Sequence, residues 1–304
     1  LLEPQLSADA NATLRLEAKT DQASGQSRLS VREAYLDYGM RSAAPFNLRL
    51  GRQILTWGVS DYLYVNDIFP KNYDSFFTGG GFDRIKHPVD AIRFSTRIAG
   101  TASAATGAVA DPSAAASASS AGLDLEWVLA RAQPDQAPLP QRFVAVAAAQ
   151  NATDLASGQK IDVALKLATR LGSWDVAAYL ASFQAREPRF LLGATGLQLD
   201  QPRTRHLGMS FTGNAAGGLV WLEWALRHAD QAQAMHVSRS YFDQAFKLIA
   251  GYSREVAQDT TASAQLQLES NLAHARYQAR LAPGIRPVAR LNALGELAAG
   301  MAHE

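Results

Sequence analysis

Apolar and polar residues alternate along most of this chain, and strict alternation is the signature of a β-strand with two different faces. Leu14, Leu16 and Ala18 alternate with Arg15, Glu17 and Lys19. Ala34, Leu36 and Tyr38 alternate with Glu33, Tyr35 and Asp37. The same period runs through Phe46–Gly51, Ile92–Ile98, Leu123–Leu129, Lys160–Leu167, Trp174–Leu180, Val220–Arg227, Phe246–Ser253 and Ala273–Leu281. Gly172-Ser173 between two of these runs reads as a tight hairpin turn. The pattern predicts about a dozen strands, each near the ~9–11 residues that cross a bilayer when tilted.

Which environments the two faces meet follows from the residues on them. Full charges recur on the polar face, as in Arg93/Arg97 and Arg276/Arg280, which suits a water-filled lumen. The five tryptophans, Trp57, Trp127, Trp174, Trp221 and Trp224, lie in or beside strands, where aromatic girdles mark bilayer interfaces. The runs also exceed the ~5–6 residues usual for globular strands. These features predict an all-β fold over residues 1–282, an antiparallel transmembrane β-barrel of about a dozen strands that can be incomplete. A soluble all-β binding module is the alternative that alternation alone would also allow.

Composition narrows the picture little. The 304 residues are 47% hydrophobic and 19% charged, ordinary for a soluble protein, but a barrel turns only every second strand residue toward lipid. The longest clean apolar run, Phe143–Ala149, falls far short of the ~18 residues of a spanning helix. With 29 basic and 28 acidic residues the chain lacks the charge excess of a nucleic-acid binder. It contains no cysteine, so disulfides, thiolate catalysis and cysteine–zinc sites are excluded. His87, His206, His228, His236 and His274 show no metal-ligand spacing, and no Ser-His-Asp order stands out. No cofactor or metal is expected of the barrel. The chain opens at Leu1 without a signal segment and stops at His303-Glu304, which reads as a fragment or a processed form.

Three interruptions break the alternation. Gly58–His87 is rich in Asp, Asn, Gly and aromatic residues, and a thirty-residue loop of that kind is usually functional. It can fold inward and narrow a pore, or pack on itself outside. Thr101–Gly122 is almost wholly Ala, Ser, Gly and Thr, a flexible connection, and Gln133–Gln141 carries Pro134, Pro138 and Pro140. On the charged face Arg49, Arg93 and Arg97 would give a lumen local positive potential, with Asp61 and Asp67 placed to pair with them at its mouth. Gly51 would let a neighbouring strand approach closely.

The order Glu33-Ala34-Tyr35-Leu36-Asp37-Tyr38, Leu48-Arg49-Leu50-Gly51-Arg52-Gln53, Trp57-Gly58-Val59-Ser60-Asp61 and Asp67-Ile68-Phe69-Pro70, followed by Pro88–Arg93, is more specific than alternation. Over residues 33–94 it resembles a family of poorly characterised, porin-like Gram-negative outer-membrane proteins. The resemblance implies an outer-membrane channel or envelope-transport barrel, with outer-membrane lipid, small solutes and envelope transport components as partners and no nucleic acid. It draws attention to Arg52, Trp57, Asp61 and Asp67 within the matching run.

The tail reads differently. From Val288 apolar positions fall three and four apart, at Leu291, Leu294, Leu297/Ala298 and Met301, which predicts a helix over the tail 283–304. Leu291–Glu304 resembles the phosphoacceptor box of a sensor histidine kinase, and that resemblance would make His303 the phosphorylated residue and Glu304 its acidic neighbour. ATP and Mg²⁺ would enter only with a complete kinase, because no nucleotide-binding loop is present. The tail is read as a barrel joined to the start of a kinase sequence, the second reading being a barrel end with a coincidental helix.

Overall fold

Alternation gives each strand one apolar face, and the fold is built by turning all those faces the same way. The computed structural model describes residues 9–20, 27–40, 45–60, 64–73, 84–98, 122–133, 160–186, 189–194, 196–231, 234–237, 242–257 and 260–301. The strands are β1 (Ala10–Thr20), β2 (Ser27–Met40), β3 (Phe46–Gln53), β4 (Val89–Ile98), β5 (Leu123–Arg131), β6 (Ile161–Leu171), β7 (Trp174–Gln184), β8 (Arg189–Gly193), β9 (Gly196–Asp200), β10 (Arg203–Ala215), β11 (Gly218–Ala229), β12 (Met235–His236), β13 (Gln244–Ala257), β14 (Thr260–Asn271) and β15 (Leu291–Met301). Twelve of them form one sheet in the order β1-β2-β3-β4-β5-β6-β7-β10-β11-β13-β14-β15, every neighbouring pair antiparallel. The up-and-down order is the one expected of a barrel. Among the described residues β1 and β15 remain the two edges of the sheet.

The sheet is curled. One cavity of about 650 Å³ is lined by Asn11 of β1 and by Lys166 and Ala168 of β6. Trp57 bonds Glu126 of β5 while Ser60, three residues on, bonds Gln265 of β14, and in a flat sheet those two strands would stand about 29 Å apart, six strand spacings. The outer face is apolar and exposed: Leu36, Leu50, Ile92, Trp127, Val163, Leu180, Leu207, Leu226 and Leu266 all point outward. The inner face holds buried polar groups, among them Gln53, Asp162, His206, Ser210 and Glu223. This is the reverse of a soluble fold, in which charged residues are mostly exposed and large apolar residues mostly inside. Across the strands Trp127, Leu165, Leu180, Leu207, Leu226 and Phe246 stand opposite one another in one continuous row. Among the described residues no helix is long and apolar enough to cross a membrane.

The two ends of the sheet differ. Connections of two to five residues join β2 to β3, β6 to β7, β10 to β11 and β13 to β14 at one end, where only the β4–β5 connection is long. The other end carries the long connections. There β8, β9 and β12 form a three-stranded sheet, tied to the chain that leaves helix α1 (His274–Ala279) by hydrogen bonds from His236 N to Arg280 O and from Ala282 N to His236 O. Tyr277 of α1 packs edge-on against Phe242, at 5.3 Å between ring centroids.

The alternation does not single out β10 or β14, and two further elements exchange roles. Ala273–Leu281, expected as a strand, contains α1. Its apolar residues at alternate positions also include the four-spaced set Ala273, Tyr277 and Leu281, and packing against Phe242 and Ala245 selects the helical face. Conversely, the helix expected in the tail is strand β15, registered against β14 from Leu291 opposite Ser270 to Met301 opposite Thr260. Helix propensity differs by only tenths of a kcal/mol for most residues, and Gly295 and Gly300 each weaken a helix by about 1 kcal/mol. The unpaired backbone row of β14 supplies a complete ladder instead, because buried peptide groups must be paired. A strand cannot present the helical box of a phosphoacceptor domain. His303 and Glu304 lie outside the described residues.

Candidate functional site: a segment folded into the lumen

The chain leaves β3 at its long-connection end and turns into the space enclosed by the sheet, so residues 54–60 and 64–73 lie against the inner faces of strands far apart in sequence. The turn begins at Gln53, fully buried, whose amide donates to Ala91 O at 3.0 Å. Gly51, at φ 127°, lies so close to β2 that a Cβ there would collide with the Ala34 carbonyl. The sequence reading of a close approach at this glycine therefore holds. Trp57 follows, 3% exposed, with its ring against Phe69 (5.1 Å) and Tyr179 of β7 (5.6 Å) and its Nε1 donating to Glu126 of β5 at 2.7 Å.

Glu223 of β11 is the anchor. Its carboxylate, 1% exposed, accepts hydrogen bonds from Val59 N (2.5 Å), Ser60 N (2.7 Å), Asn66 N (3.2 Å) and Asn66 Nδ2 (3.0 Å). A buried carboxylate is tolerable only when its lone pairs are satisfied in this way. Gly58 makes the approach possible: at φ 87° its missing side chain would meet Glu223 Oε2 at 2.9 Å. Asn66 also donates to Met209 O and contacts His206 Nε2 at 3.1 Å. It packs where a side chain at Gly208 would otherwise stand. Ser60 reaches Gln265 of β14 at 2.9 Å, Arg227 donates to Val65 O, and Arg186 donates to Ile68 O.

The segment returns through a buried ion pair. Lys71 Nζ lies 2.6 Å from Asp67 Oδ2, both side chains 2% exposed, and Thr56 Oγ1 donates to the same carboxylate. Lys71 also sits over the Tyr64 ring at 4.6 Å. His87 N donates to Pro70 O and Asn72 N to Ile85 O, closing the return toward β4. His87 is half-buried. Burial first, and then the positive charges of Arg52 and Arg32, hold its imidazole below its ordinary pKa against the opposing bond to Pro88 O.

On either side of the segment the lumen is open. Toward the short-turn end the 650 Å³ cavity adjoins one of about 450 Å³, both lined by Arg97, Asp124, Lys166 and Ala168. Toward the other end lies a smaller space of about 150 Å³ beside Lys71, Tyr73, Arg186 and Lys247. The cap beyond it holds Arg189, 2% exposed, between Asp200 and Asp243, each at 2.7 Å. Burial pushes the Asp243 carboxyl up, but the hydrogen bond and charge of His236, with Arg189, outweigh it and hold it below the usual range.

The sequence-derived residues divide accordingly. Arg49, Arg93 and Arg97 are on the inner face of the sheet, and none pairs with Asp67. Cross-strand acids are nearer: Arg49 bonds Asp37 at 2.8 Å, Arg93 bonds Glu126 at 2.7 Å and Arg97 bonds Asp124 at 2.7 Å. Arg52 falls on the outer face beside Leu50 and pairs with Asp90 at 2.9 Å, because strand parity puts it opposite Arg49 and Gly51. Trp57 and Trp221 belong to the interior and not to a girdle. Asp61 lies outside the described residues. Glu223, Asn66 and Lys71 were not legible as site residues, since each is one polar residue among many until the segment folds onto it. Among the described residues no group of three His, Asp or Glu is arranged to hold a metal ion.

A family described as a protein of unknown function, DUF1302, matches residues 4–303, which includes both the lumen segment and β15. The chain belongs to this family. No curated protein matches the sequence. Among solved structures the DUF1302 chain is similar to a loop L8 deletion mutant of OmpT, an outer membrane protein of Vibrio cholerae, at TM-score 0.45 and 12% identity over 88% of this chain and 70% of that one. It is also similar to an anion-selective porin from Comamonas acidovorans, at TM-score 0.36 and 13% identity over 88% of this chain and 76% of that one. Scores at this level carry no assignment of function, and nothing found supports the histidine-kinase resemblance of the DUF1302 tail.

Proposed function

We propose that the protein is an outer-membrane, porin-like channel whose conductance is set by residues 54–60 and 64–73. The apolar outer face and polar inner face are what lipid outside and water inside require. In outer-membrane barrels short turns face the periplasm and long connections face outward. The capped end is then extracellular, and the 650 Å³ and 450 Å³ cavities open toward the periplasm. The observation that carries the reading is Glu223: one buried carboxylate holding three backbone amides and one side-chain amide of a segment that lies across the lumen. Such an anchor makes a constriction, and the polar lining on both sides suits a small hydrophilic solute.

The test is conductance in planar bilayers. Wild-type protein should give small steps, and Glu223→Ala combined with Asn66→Ala should give larger, noisier ones as the segment leaves the lumen. Heat-modifiable migration on gels confirms in both cases that the barrel is folded. A folded barrel that conducts in neither form would sink the channel reading.

A further inference from the structure

On the outer face, where apolar residues are the rule, two basic side chains stand directly opposite each other near the capped end. Arg205 of β10 pairs in register with His228 of β11. Both are exposed, and among the described residues neither has a hydrogen bond or ion pair. Facing side chains at such positions lie about 5 Å apart at Cβ, close enough to hold one ligand between them. Arg52, on the same outer surface, is by contrast neutralised by Asp90. Below the basic pair, toward the middle of the sheet, a groove of about 770 Å³ has Leu165, Leu180, Leu207 and Leu226 among its lining, and Arg205 and His228 form its rim.

We infer that this groove binds a phosphorylated glycolipid of the outer leaflet, its phosphate between Arg205 and His228 and an acyl chain along the leucines. A phosphate supplies the acceptor oxygens and the negative charge that the two donors lack. The guanidinium presents a planar fork suited to phosphate, and imidazole donates an N–H in either protonation state. The depth is right. The basic pair sits two residues inside the long-connection end of β10, where head-groups meet the acyl region, and the apolar row lies one step deeper. The inference rests on the outer-membrane reading, which fixes the leaflet.

The experiment is native mass spectrometry of the detergent-refolded full chain titrated with bisphosphorylated lipid A, dephosphorylated lipid A or phosphatidylglycerol. Wild-type protein should retain bisphosphorylated lipid A, and the Arg205→Ala/His228→Ala variant should bind it about tenfold or more weakly, as loss of charged hydrogen bonds implies. Arg205→Gln/His228→Gln, which keeps side-chain bulk, should behave alike. Equal retention by the variants, or by wild-type protein of dephosphorylated lipid A or phosphatidylglycerol, would overturn the assignment. Heat-modifiable migration should be unchanged in both variants, and its absence in the wild type would instead count against the barrel itself.

Discussion

At the scale of single residues, the lumen segment depends on buried charges that cannot be removed one at a time. Lys71 and Asp67 are both 2% exposed at 2.6 Å, so Lys71→Met leaves a carboxylate in the interior without its cation. Removing one partner of such a pair typically costs about 3–5 kcal/mol, whereas replacing both with apolar residues is often nearly neutral. Urea titration of the refolded protein should show a lower midpoint for Lys71→Met and a substantial recovery for Lys71→Met/Asp67→Leu. No recovery in the double variant would mean that Thr56 and Tyr64, which also touch the pair, need the charges in place. Gly208 makes a second residue-scale case. Asn66 occupies the space of its side chain and the Trp224 carbonyl stands 2.9 Å from where its Cβ would be, so Gly208→Ala should expel Asn66 from β10, lower the urea midpoint by straining β10 against β11, and raise conductance in the fraction that folds.

At the scale of elements, the return of the segment toward β4 carries a pH response. The His87 imidazole is held below its ordinary pKa, chiefly by burial and also by Arg52 and Arg32. For a depressed histidine the neutral form is the one the fold favours. Its contribution is intact above the ordinary value of about 6.5 and is lost as pH falls through the lowered value. Acidification should therefore loosen the return at Pro70 and Asn72, seen as larger or more frequent conductance fluctuations, and His87→Gln should flatten that response. The elements also show what sequence can carry. Nine of the twelve strands of the main sheet were legible from alternation, because the faces meet different solvents and each residue reports its own; β10 and β14 were not, since small and polar residues such as Gly208, Ser210, Gly213, Ser263 and Gln265 blur their alternation. The Gly58–His87 interruption was legible as an element of consequence, but its destination was not. Glu223 lies over 150 residues further along the chain, and no local pattern links the two. α1 and β15 were misread for a related reason. Leu291–Met301 has good helical spacing, and the deciding term is the open edge of β14, which lies outside its own sequence.

At the scale of the whole molecule, the decisive property is that the fold is inverted, and one substitution made on its two sides separates a membrane barrel from a soluble sheet. Leu266 and Gln267 are neighbours near the middle of β14. Leu266 faces outward and is 46% exposed, while Gln267 is registered opposite Ile249 on the lumen side. If the outer face met water, Leu266→Arg would be nearly silent, as surface substitutions away from special features are. If it meets lipid, arginine near the bilayer middle costs about 2–4 kcal/mol, and the folded, heat-modifiable fraction in vesicles should fall. Gln267→Arg adds the same side chain to a polar, wet interior, so folding should persist while the ion preference of the open channel shifts toward anions. A pair of results in which Leu266→Arg is silent and Gln267→Arg is disruptive would reverse the assignment of the two faces, and with it the orientation from which the channel, its anchor at Glu223 and the lipid groove at Arg205 are all argued.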